Sequence, residues 1–291
     1  MIKTYEGDFI KYLSNVSINT LTSFKQAGII QHLYIVDSKL DILNFFDNHT
    51  QWFILGKGSN SLILESALAI PFIKLGSSFQ KITNNNDYLL AKAGASVPQL
   101  MSFSQKNGLS GLEFMAGVPA SLGGMIAMNF GCWDVCMQDI VHSVDLYIPG
   151  QGFVTFSNEQ CQFGYRTSIF QSMDCLILSA KLSVSSSDPS SIKKTIHHYV
   201  TQRLTKQPMR TATFGSIFKN PAPDPAAAVI EKSGLKGYQL RTAKVSELHA
   251  NFMENIADAS SQDALDLMAL IQKEVKSKFN ISLQPEVSIF Q

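Results

Sequence analysis

The chain has 291 residues, of which 45% are apolar, and its 24 lysines and arginines nearly balance its 23 aspartates and glutamates. The resulting formal charge of +1 excludes electrostatic attraction to nucleic acid as the main activity, and the apolar content argues against disorder. At roughly 150 residues per domain, the length indicates about two domains, each large enough to bury a core.

The N-terminal sequence MIKTYEGDFIKYL has charged residues where a secretory signal needs an apolar core, so a cytoplasmic protein is expected. Further along, an apolar run at 52–55 leads into Gly56-Lys57-Gly58-Ser59-Asn60-Ser61, which we name the first glycine loop. Its glycines let backbone N–H groups approach an anion closely, and its polar side chains add donors. The loop is not a Rossmann fingerprint, because Ser61 replaces the third glycine and no amphipathic helix follows. A plain hairpin turn is the alternative.

Ser96-Val97-Pro98 followed by Gly108 predicts one short helix in this strand-rich half. Residues 108–131, the second glycine loop, follow at once. The part from Phe114 to Trp133 has no charge and is long enough to cross a bilayer, but its glycines and proline favour a buried loop. Two glycine-rich loops in one domain suit the diphosphate of a dinucleotide cofactor, and tight packing of a buried loop is the alternative.

Apolar runs at 144–148 and 176–184 predict further strands, and the polar segment 163–168 lies between them. Within that segment, Arg166 offers a planar fork suited to a carboxylate. The serine-rich stretch 183–191 is typical of a linker and predicts a domain boundary.

Helices are predicted in the second half. Asp224 is expected to cap one of them, with Pro225 at its first position and Gly234 just past its end. Another begins near Ser260, whose capping-box partner is Asp263. The first helix carries Ile192, Ile196, Val200 and Leu204 on one stripe, and the last carries Leu265, Met268, Ile271, Val275 and Phe279.

Two further polar segments interrupt this half, at 215–221 and 284–287. Ser216 offers a hydroxyl that can give a proton, but the sequence has no GxSxG motif, so a serine hydrolase has little support. Glu286 is a carboxylate in an otherwise apolar terminal strand, and a surface salt bridge is its ordinary alternative role.

No metal site is expected. The cysteines have no paired CxxC spacing and are expected to be reduced, and His197-His198 has no acidic or cysteine companion at ligand spacing. The cysteines are Cys132, Cys136, Cys161 and Cys175.

In order and spacing, these segments resemble the UDP-N-acetylenolpyruvoylglucosamine reductase family nearly from end to end. The motifs that carry the resemblance are GKGSNSLI, GLEFMAGVPASLGGMIAMNFG, FGYRTSIF, GSIFKNP, AAAVIEKSGLKG, VSELHANFMEN and PEV. Because no long insertion follows FGYRTSIF, the chain resembles the shorter of two subtypes.

The resemblance implies an α+β chain with two domains. An FAD-binding domain of the p-cresol methylhydroxylase type would comprise residues 1–185, in two lobes of about 1–72 and 73–185. A smaller mixed α/β substrate-binding domain would comprise residues 186–291.

The resemblance also implies the chemistry. NADPH would reduce non-covalently bound FAD, which would reduce the enolpyruvyl group of UDP-N-acetylglucosamine enolpyruvate to give UDP-N-acetylmuramate for peptidoglycan. Ser216 would protonate the carbon next to the carboxylate, Arg166 would stabilise the enolate, and Glu286 would act as a hydrogen-bonded acid.

Further positions would hold the ligands. The small-molecule UDP-sugar is the expected partner, and a monomer without nucleic-acid binding or membrane insertion is expected. Tyr165, Lys219 and Asn220 would hold the UDP-sugar. The implied FAD contacts are Gly56, Lys57, Gly58, Ser59, Asn60, Ser61, Gly117, Val118, Pro119, Ser121, Gly123 and Gly124.

Some positions depart from the family pattern. Ala120 and Asp134 stand where glycine is usual, and Arg241-Thr242 replaces small residues, so a small shift of the loop around Ala120 is expected. A sugar or alcohol oxidase on the same flavin fold is the rival reading. The glycine loops contain no histidine for covalent flavin attachment, and GSIFKNP has no place among such oxidases.

Overall fold

The strands of the described residues form a mixed four-stranded sheet, an antiparallel five-stranded sheet, a short antiparallel three-stranded sheet and three two-stranded pairs. The computed structural model describes residues 10–85 and 88–291, so most of the charged N-terminal stretch lies outside the described residues. In the four-stranded sheet the order is β1-β2-β5-β3, and in the five-stranded antiparallel sheet it is β12-β11-β13-β7-β6. The strands are β1 (Lys11–Ser17), β2 (Ile29–Val36), β3 (Phe53–Ile54), β4 (Ser61–Ile63), β5 (Phe72–Leu75), β6 (Ile82–Asn84), β7 (Leu89–Lys92), β8 (Leu109–Ser110), β9 (Gly131–Cys132), β10 (Val135–Cys136), β11 (Val141–Ile148), β12 (Gly152–Ser157), β13 (Leu176–Leu182), β14 (Ser185–Ser186), β15 (Gln239–Leu240), β16 (Ala243–Val245), β17 (Met253–Asn255) and β18 (Ser288–Phe290).

The helices begin largely where capping side chains predict. Ser96 caps α2 reciprocally with Gln99, and Gly108 ends it in the left-handed conformation. Ser260 and Asp263 form the predicted capping box of α7. The helices are α1 (Lys39–Asn48), α2 (Val97–Asn107), α3 (Leu122–Ala127), α4 (Met137–Ile140), α5 (Pro189–Lys206), α6 (Ala226–Lys232) and α7 (Ser261–Phe279).

Helix α1 was not predicted from the sequence, although its signal is present. Ser38 and Asp41 form a capping box at its start. The apolar residues Ile42, Phe45 and Phe46 then follow at helical spacing and are buried. The pattern is short and lies between strands, so the sequence around it mainly indicates strands.

The predicted start of α6 is wrong. The helix begins at Ala226, and Pro225 occupies the capping position in an extended conformation. The side chain of Asn220 supplies the cap, because its Oδ1 accepts the N–H of Ala226 at 3.0 Å. Gly234 follows the end of the helix at φ +83°, as predicted.

The predicted apolar stripes hold only in part. On α5, Ile192 is buried but Leu204 is 46% exposed, and Arg203 is buried instead at 7% exposure. Residue 203 faces inward because its guanidinium bonds to carbonyls of the second glycine loop. On α7, Phe279 is 37% exposed at the end of the helix.

Separate cores organise the described chain. The middle core forms around the five-stranded sheet with α2 and α3, and Ile196, Tyr199 and Val200 of α5 pack against it. The C-terminal core contains residues of α6 and α7, and it also takes in Phe24 and Leu62 from the N-terminal part of the chain. Consequently α5 packs with the middle core, although it follows the predicted linker.

The connections between these parts bear on the predicted divisions. The stretch 183–191 is not a free linker, because β14 pairs with β8 and Asp188 caps α5. A lobe division at residue 72 would fall inside β5, which pairs with β2 and β3. At the C-terminus, β18 returns to pair with β4 in parallel. The limits 1–185 and 186–291 stay a prediction.

The charge-free segment from Phe114 to Trp133 is interrupted by a six-residue helix, α3, rather than being loop throughout. Most of its apolar side chains are buried in the middle core. Among the helices of the described residues, none has both the length and the apolar character required to span a membrane.

A buried glutamine anchors β4, the strand that leaves the first glycine loop. The Nε2 of Gln26 donates to the oxygen of Ile63 at 2.6 Å, and its Oε1 accepts the N–H of Ile63 at 2.9 Å. Gln26 is 1% exposed. Its side chain makes the two backbone hydrogen bonds that a neighbouring strand would otherwise make to β4 at Ile63.

We expect Gln26→Leu to lower the free energy of unfolding by about 1–3 kcal/mol, because both backbone groups of Ile63 lose their buried partner. Chemical denaturation of the apo protein would measure the change. Gln31→Leu is the matched control, since Gln31 is exposed on β2. Equal losses in both variants would contradict this account.

Candidate active site

The two glycine loops lie against each other. A Cβ built on Gly56 would lie 2.8 Å from the Oγ of Ser121, so a side chain at position 56 would force the Ser121 hydroxyl to move. Gly58 has φ +64°, and a Cβ there would lie 2.2 Å from the oxygen of Leu21. Both glycines are therefore required by close approach of backbone to neighbouring atoms.

Backbone hydrogen bonds fasten the second glycine loop to the segment that connects β7 with α2. The N–H of Val97 donates to Ala120 at 3.0 Å, and the N–H of Gly123 donates to Ala93 at 2.8 Å. A Cβ on Gly123 would lie 3.1 Å from the Cβ of Ala93, whereas Gly124 is exposed and would meet only Ser121 Oγ at 3.7 Å. The loop thus has a packed side and an open side. Gly117 and Pro119 are exposed, and Val118 between them is half-buried.

Lys74, on β5, lies beneath the first glycine loop. Its Nζ donates to the carbonyl oxygen of Gly56. Burial and, to a smaller extent, the charge of Lys57 together lower the pKa of Lys74 to about 8. Within 10–85 and 88–291, neither lysine has a carboxylate at salt-bridge distance. The junction of the loops therefore carries positive charge that nothing in this part of the chain neutralises.

Arg166 and Glu286, predicted from segments far apart in the chain, form an ion pair. The Nε of Arg166 lies 3.3 Å from Oε1 of Glu286, and the two side chains are 20% and 17% exposed. The Nε–H is buried and makes no aligned hydrogen bond. The guanidinium lies 5.5 Å from the ring centre of Phe130 and 5.6 Å from that of Tyr165.

The backbone around Arg166 is held by the end of the second glycine loop. Arg166 has φ +55°, which costs energy in a residue other than glycine. The side chain of Asn129 donates to the oxygen of Gly164 at 2.8 Å, and Ser168 Oγ donates to Ala127 at 2.7 Å. The loop that presents the guanidinium is therefore anchored to residues 127–129.

Ser216 and Glu286 lie on paired segments beside the first glycine loop. The N–H of Glu286 donates to the oxygen of Ile217 at 2.9 Å. Asn60 Nδ2 donates to the oxygen of Glu286 at 3.1 Å, and a Cβ on Gly215 would lie 3.9 Å from the oxygen of Ser59. The loop thus borders both predicted catalytic segments.

Asn251 lies in the motif VSELHANFMEN, from which no role for it was predicted, and the structure shows its contacts. It is 3% exposed, and its side chain accepts from the N–H of Phe218 at 3.0 Å and donates to the oxygen of Phe218 at 2.7 Å. The backbone oxygen of Asn251 accepts the N–H of Ile217 at 2.8 Å. Asn251 therefore fixes the backbone next to Ser216, and its polar character in a buried stretch was the available signal.

The residues predicted to hold a UDP-sugar also lie together. The N–H of Asn220 donates to Tyr165 Oη at 3.3 Å, and Tyr165 is 57% exposed. The N–H of Lys219 donates to Gln284 at 2.9 Å. Burial raises the pKa of Glu286, while the charges of Arg166 and Lys219 oppose this shift.

This arrangement fits FAD better than a metal ion. Among the described residues, no cluster of three or more His, Cys, Asp and Glu could hold a metal. The glycines at the loop contact keep backbone close to an open surface, and the uncompensated lysines suit a diphosphate. The two glycine loops with a half-buried ion pair beside them therefore fit the class of protein that the sequence predicted, a flavin-dependent oxidoreductase.

Comparisons with known proteins agree with this class. A family model described as FAD binding domain matches residues 40–156, and one described as UDP-N-acetylenolpyruvoylglucosamine reductase, C-terminal domain, matches residues 207–290. The chain is 35% identical over 289 residues to the UDP-N-acetylenolpyruvoylglucosamine reductase of Bacillus subtilis (strain 168), covering 98% of this chain and 95% of that protein. It is 40% identical over 238 residues to that of Clostridioides difficile (strain 630), covering 82% and 78%.

A solved structure has the same fold. The crystal structure of UDP-N-acetylenolpyruvylglucosamine reductase from Thermus caldophilus superposes with a TM-score of 0.83 at 26% identity, covering 97% of this chain and all of that one. The chain belongs to the UDP-N-acetylenolpyruvoylglucosamine reductase family. It is an oxidoreductase of peptidoglycan synthesis with FAD as cofactor and NADPH as hydride donor.

Two adjacent glycines separate packing from cofactor contact. We expect Gly123→Ala to lower the thermal midpoint of the apo protein, because its new methyl group meets Ala93. Gly124→Ala should leave that midpoint unchanged or raised, since alanine favours a helix by about 0.5–1 kcal/mol. It should still weaken FAD binding at least about tenfold, measured by fluorescence quenching, because Gly124 lies on the open side of the loop, where we expect the cofactor. Normal FAD affinity in Gly124→Ala would contradict the placement.

Lys74 should make the stability of the apo protein depend on pH. The pKa of Lys74 is about 8 in the folded protein, whereas an ordinary lysine has a pKa of 10.5, so the folded protein releases this proton at a lower pH than the unfolded chain does. The contribution of Lys74 to stability therefore increases between pH 8 and 10.5. We expect Lys74→Met to remove that increase, measured as thermal midpoint against pH. In the control Lys57→Met, the increase should move to higher pH because a like charge is gone. An unchanged profile in Lys74→Met would refute the assignment.

Proposed function

We propose that Arg166, Glu286 and Ser216 carry the charge and proton chemistry of reducing the enolpyruvyl group of UDP-N-acetylglucosamine enolpyruvate to UDP-N-acetylmuramate. The observation that supports this most is the half-buried Arg166–Glu286 ion pair at 3.3 Å, because both its partners are anchored to the two glycine loops. When bound, the flavin supplies a hydride to the terminal carbon of the substrate double bond.

Arg166 stabilises the charge that this addition creates. Electrons move toward the substrate carboxylate, which takes on the character of an enolate. The Nε–H of Arg166 is buried without an aligned partner, so it is a donor available to an anionic group. Because its loop is tied to residues 127–129, little reorganisation is needed when the charge develops.

Glu286 acts as a hydrogen-bonded acid beside the same carboxylate. A carboxyl group can donate only when it is protonated, and burial favours that form by raising the pKa of Glu286. The charge of Arg166 opposes the shift, which keeps the group able to lose its proton again.

Ser216 completes the reaction by giving its hydroxyl proton to the carbon next to the carboxylate. Asn251 and the segment of Glu286 hold the backbone on its C-terminal side. The hydride and this proton together saturate the double bond, so both carbons are accounted for. Tyr165, Lys219 and Asn220 bind the UDP-sugar, with Lys219 suited to a phosphate.

The first glycine loop, from Gly56 to Ser61, and the open side of the second loop hold FAD in this proposal. A sugar or alcohol oxidase is not favoured, because the family model of the reductase C-terminal domain matches residues 207–290 and the B. subtilis reductase matches along 98% of the chain. The protein works in the cytoplasm, where NADPH and nucleotide sugars are made. It works as a monomer and does not bind nucleic acid. All three catalytic groups belong to one chain, which supports a monomer.

Separating the two half-reactions tests the role of Ser216. We expect Ser216→Ala to reduce its flavin with NADPH at the normal rate, while oxidation of the reduced flavin by substrate slows at least about a hundredfold, the scale of a lost proton donor. Stopped-flow absorbance of the flavin would follow each half. Ser186→Ala is the control, since Ser186 is exposed on β14. Equal loss in both halves would refute the proposed role.

The pH dependence of the second half-reaction tests Glu286. Its rate should fall as rising pH removes the proton from Glu286. Because the charge of Lys219 lowers the pKa of Glu286, Lys219→Met should raise that pKa and move the fall to higher pH. The measurement is single-turnover oxidation of reduced flavin at saturating substrate.

Lys236→Met, which removes a charge from an ion pair with Glu231, should leave the profile in place. A shift to lower pH in Lys219→Met, or no shift, would contradict the role of Glu286.

A further inference from the structure

Arg203 is a buried cation whose hydrogen bonds go to neutral acceptors. It is 7% exposed on α5. Its Nε donates to the oxygen of Ala116 at 2.9 Å, and its Nη2 donates to the oxygen of Phe114 at 3.1 Å and to Cys132 Sγ at 3.0 Å. The guanidinium thus donates hydrogen bonds to the first residues of the charge-free part of the second glycine loop.

The aliphatic part of the Arg203 side chain also packs against Gly117 of the second glycine loop, a position that leaves little room for a side chain. Gly117 has φ +84°, and a Cβ there would lie 3.1 Å from the Cδ of Arg203. Burial and the charge of Arg166 both lower the pKa of Arg203. In the described residues, no carboxylate forms a salt bridge with Arg203. A buried guanidinium without a carboxylate partner costs free energy. Its hydrogen bonds to the loop therefore offset that cost.

An aromatic stack holds the hairpin of β9 and β10 against α5. Trp133 stacks on Tyr199 with ring centres 4.0 Å apart and planes at 11°. The guanidinium of Arg203 lies 4.5 Å from the ring centre of Trp133. The turn has φ +51° at Trp133 and +61° at Asp134, the left-handed conformation that favours glycine or asparagine in such turns.

Phe130 connects Arg203 to the catalytic guanidinium. The guanidinium of Arg203 lies 5.7 Å from the ring centre of Phe130, and that of Arg166 lies 5.5 Å from the same ring. A ring that contacts two cations transmits a displacement of one to the other through packing. The ring belongs to the same segment, 127–130, that anchors the backbone around Arg166.

We propose that Arg203 is a positioning residue that ties α5 to the second glycine loop and, through Phe130, holds Arg166 in place beside Glu286. The second part rests on the proposed catalytic role of Arg166, whereas the first part does not. Arg203 thereby couples the geometry of the cofactor site to that of the substrate site.

Flavin affinity tests the first part. We expect Arg203→Met, which keeps the apolar stem, to raise the Kd of the apo protein for FAD at least about tenfold. Arg203→Lys keeps the charge but cannot bond two carbonyls as a fork, and it should lie between Arg203→Met and the unmodified protein. Lys194→Met is the control, because Lys194 is exposed on the same helix. Unchanged FAD affinity in both Arg203 variants overturns this part.

A double-mutant cycle tests the second part in flavin-saturated enzyme. Arg203→Met should slow oxidation of reduced flavin by substrate at least about tenfold, the scale of a small displacement of a catalytic group. Reduction of the flavin by NADPH should remain normal. In an Arg166→Met background the same change should cost far less, because the group it positions is gone.

The outcomes are distinguishable. Equal slowing by Arg203→Met with and without Arg166 overturns the positioning role, even if flavin affinity falls. If Arg166→Met alone leaves substrate reduction unchanged, the proposed function fails, while FAD affinity still decides the contact with the loop. Should Arg203→Met not fold, Arg203→Lys and Phe130→Leu carry the same cycle. Additivity of Phe130→Leu with Arg166→Met would overturn the coupling through the ring.

Discussion

The site depends on a close contact between the backbone of the first glycine loop at Gly56 and the side chain of Ser121 in the second glycine loop. At Gly56 a single added carbon would lie 2.8 Å from Ser121 Oγ. The first glycine loop continues into β4, which pairs with the C-terminal strand that follows Glu286. The second loop continues into residues 127–130, which anchor Arg166. The contact at Gly56 therefore lies between the segments that lead to Glu286 and to Arg166.

The charges around this contact are distributed unevenly. Lys74 and Arg203 are cations beneath the two loops, and each bonds to backbone carbonyls rather than to a carboxylate. Uncompensated positive charge is costly in the apo protein and favourable to an anionic cofactor. Glu286 has the opposite role, because burial favours its neutral form while Arg166 limits the shift. In the proposed function, these cations face the diphosphate of the cofactor and Glu286 is the titratable acid for the substrate.

The groups of the candidate site could be singled out in the sequence because they reside in short motifs, while their roles, which the family resemblance implies, stay predictions. The residues Ser216, Arg166 and Glu286 were each distinguishable as polar groups in otherwise apolar surroundings. Capping boxes predicted the beginning of α2 and α7 since the interactions are local. Predictions failed where a distant side chain decided the outcome. Asn220 caps α6 in place of Asp224, and Arg203 replaces Leu204 on the inner face of α5 because the second glycine loop offers it carbonyl partners.

The sequence by itself determined the kinds of groups present, the family, the glycines at the loops and the local starts of several helices, because these follow from residue type and near neighbours. Only the tertiary structure decided that Arg166 meets Glu286, that Asn251 holds the backbone beside Ser216, and that α5 packs with the middle core. These contacts join residues far apart in the chain. Their partners are selected by burial, hydrogen-bond satisfaction and the shape of the loops, which no local pattern of residues records.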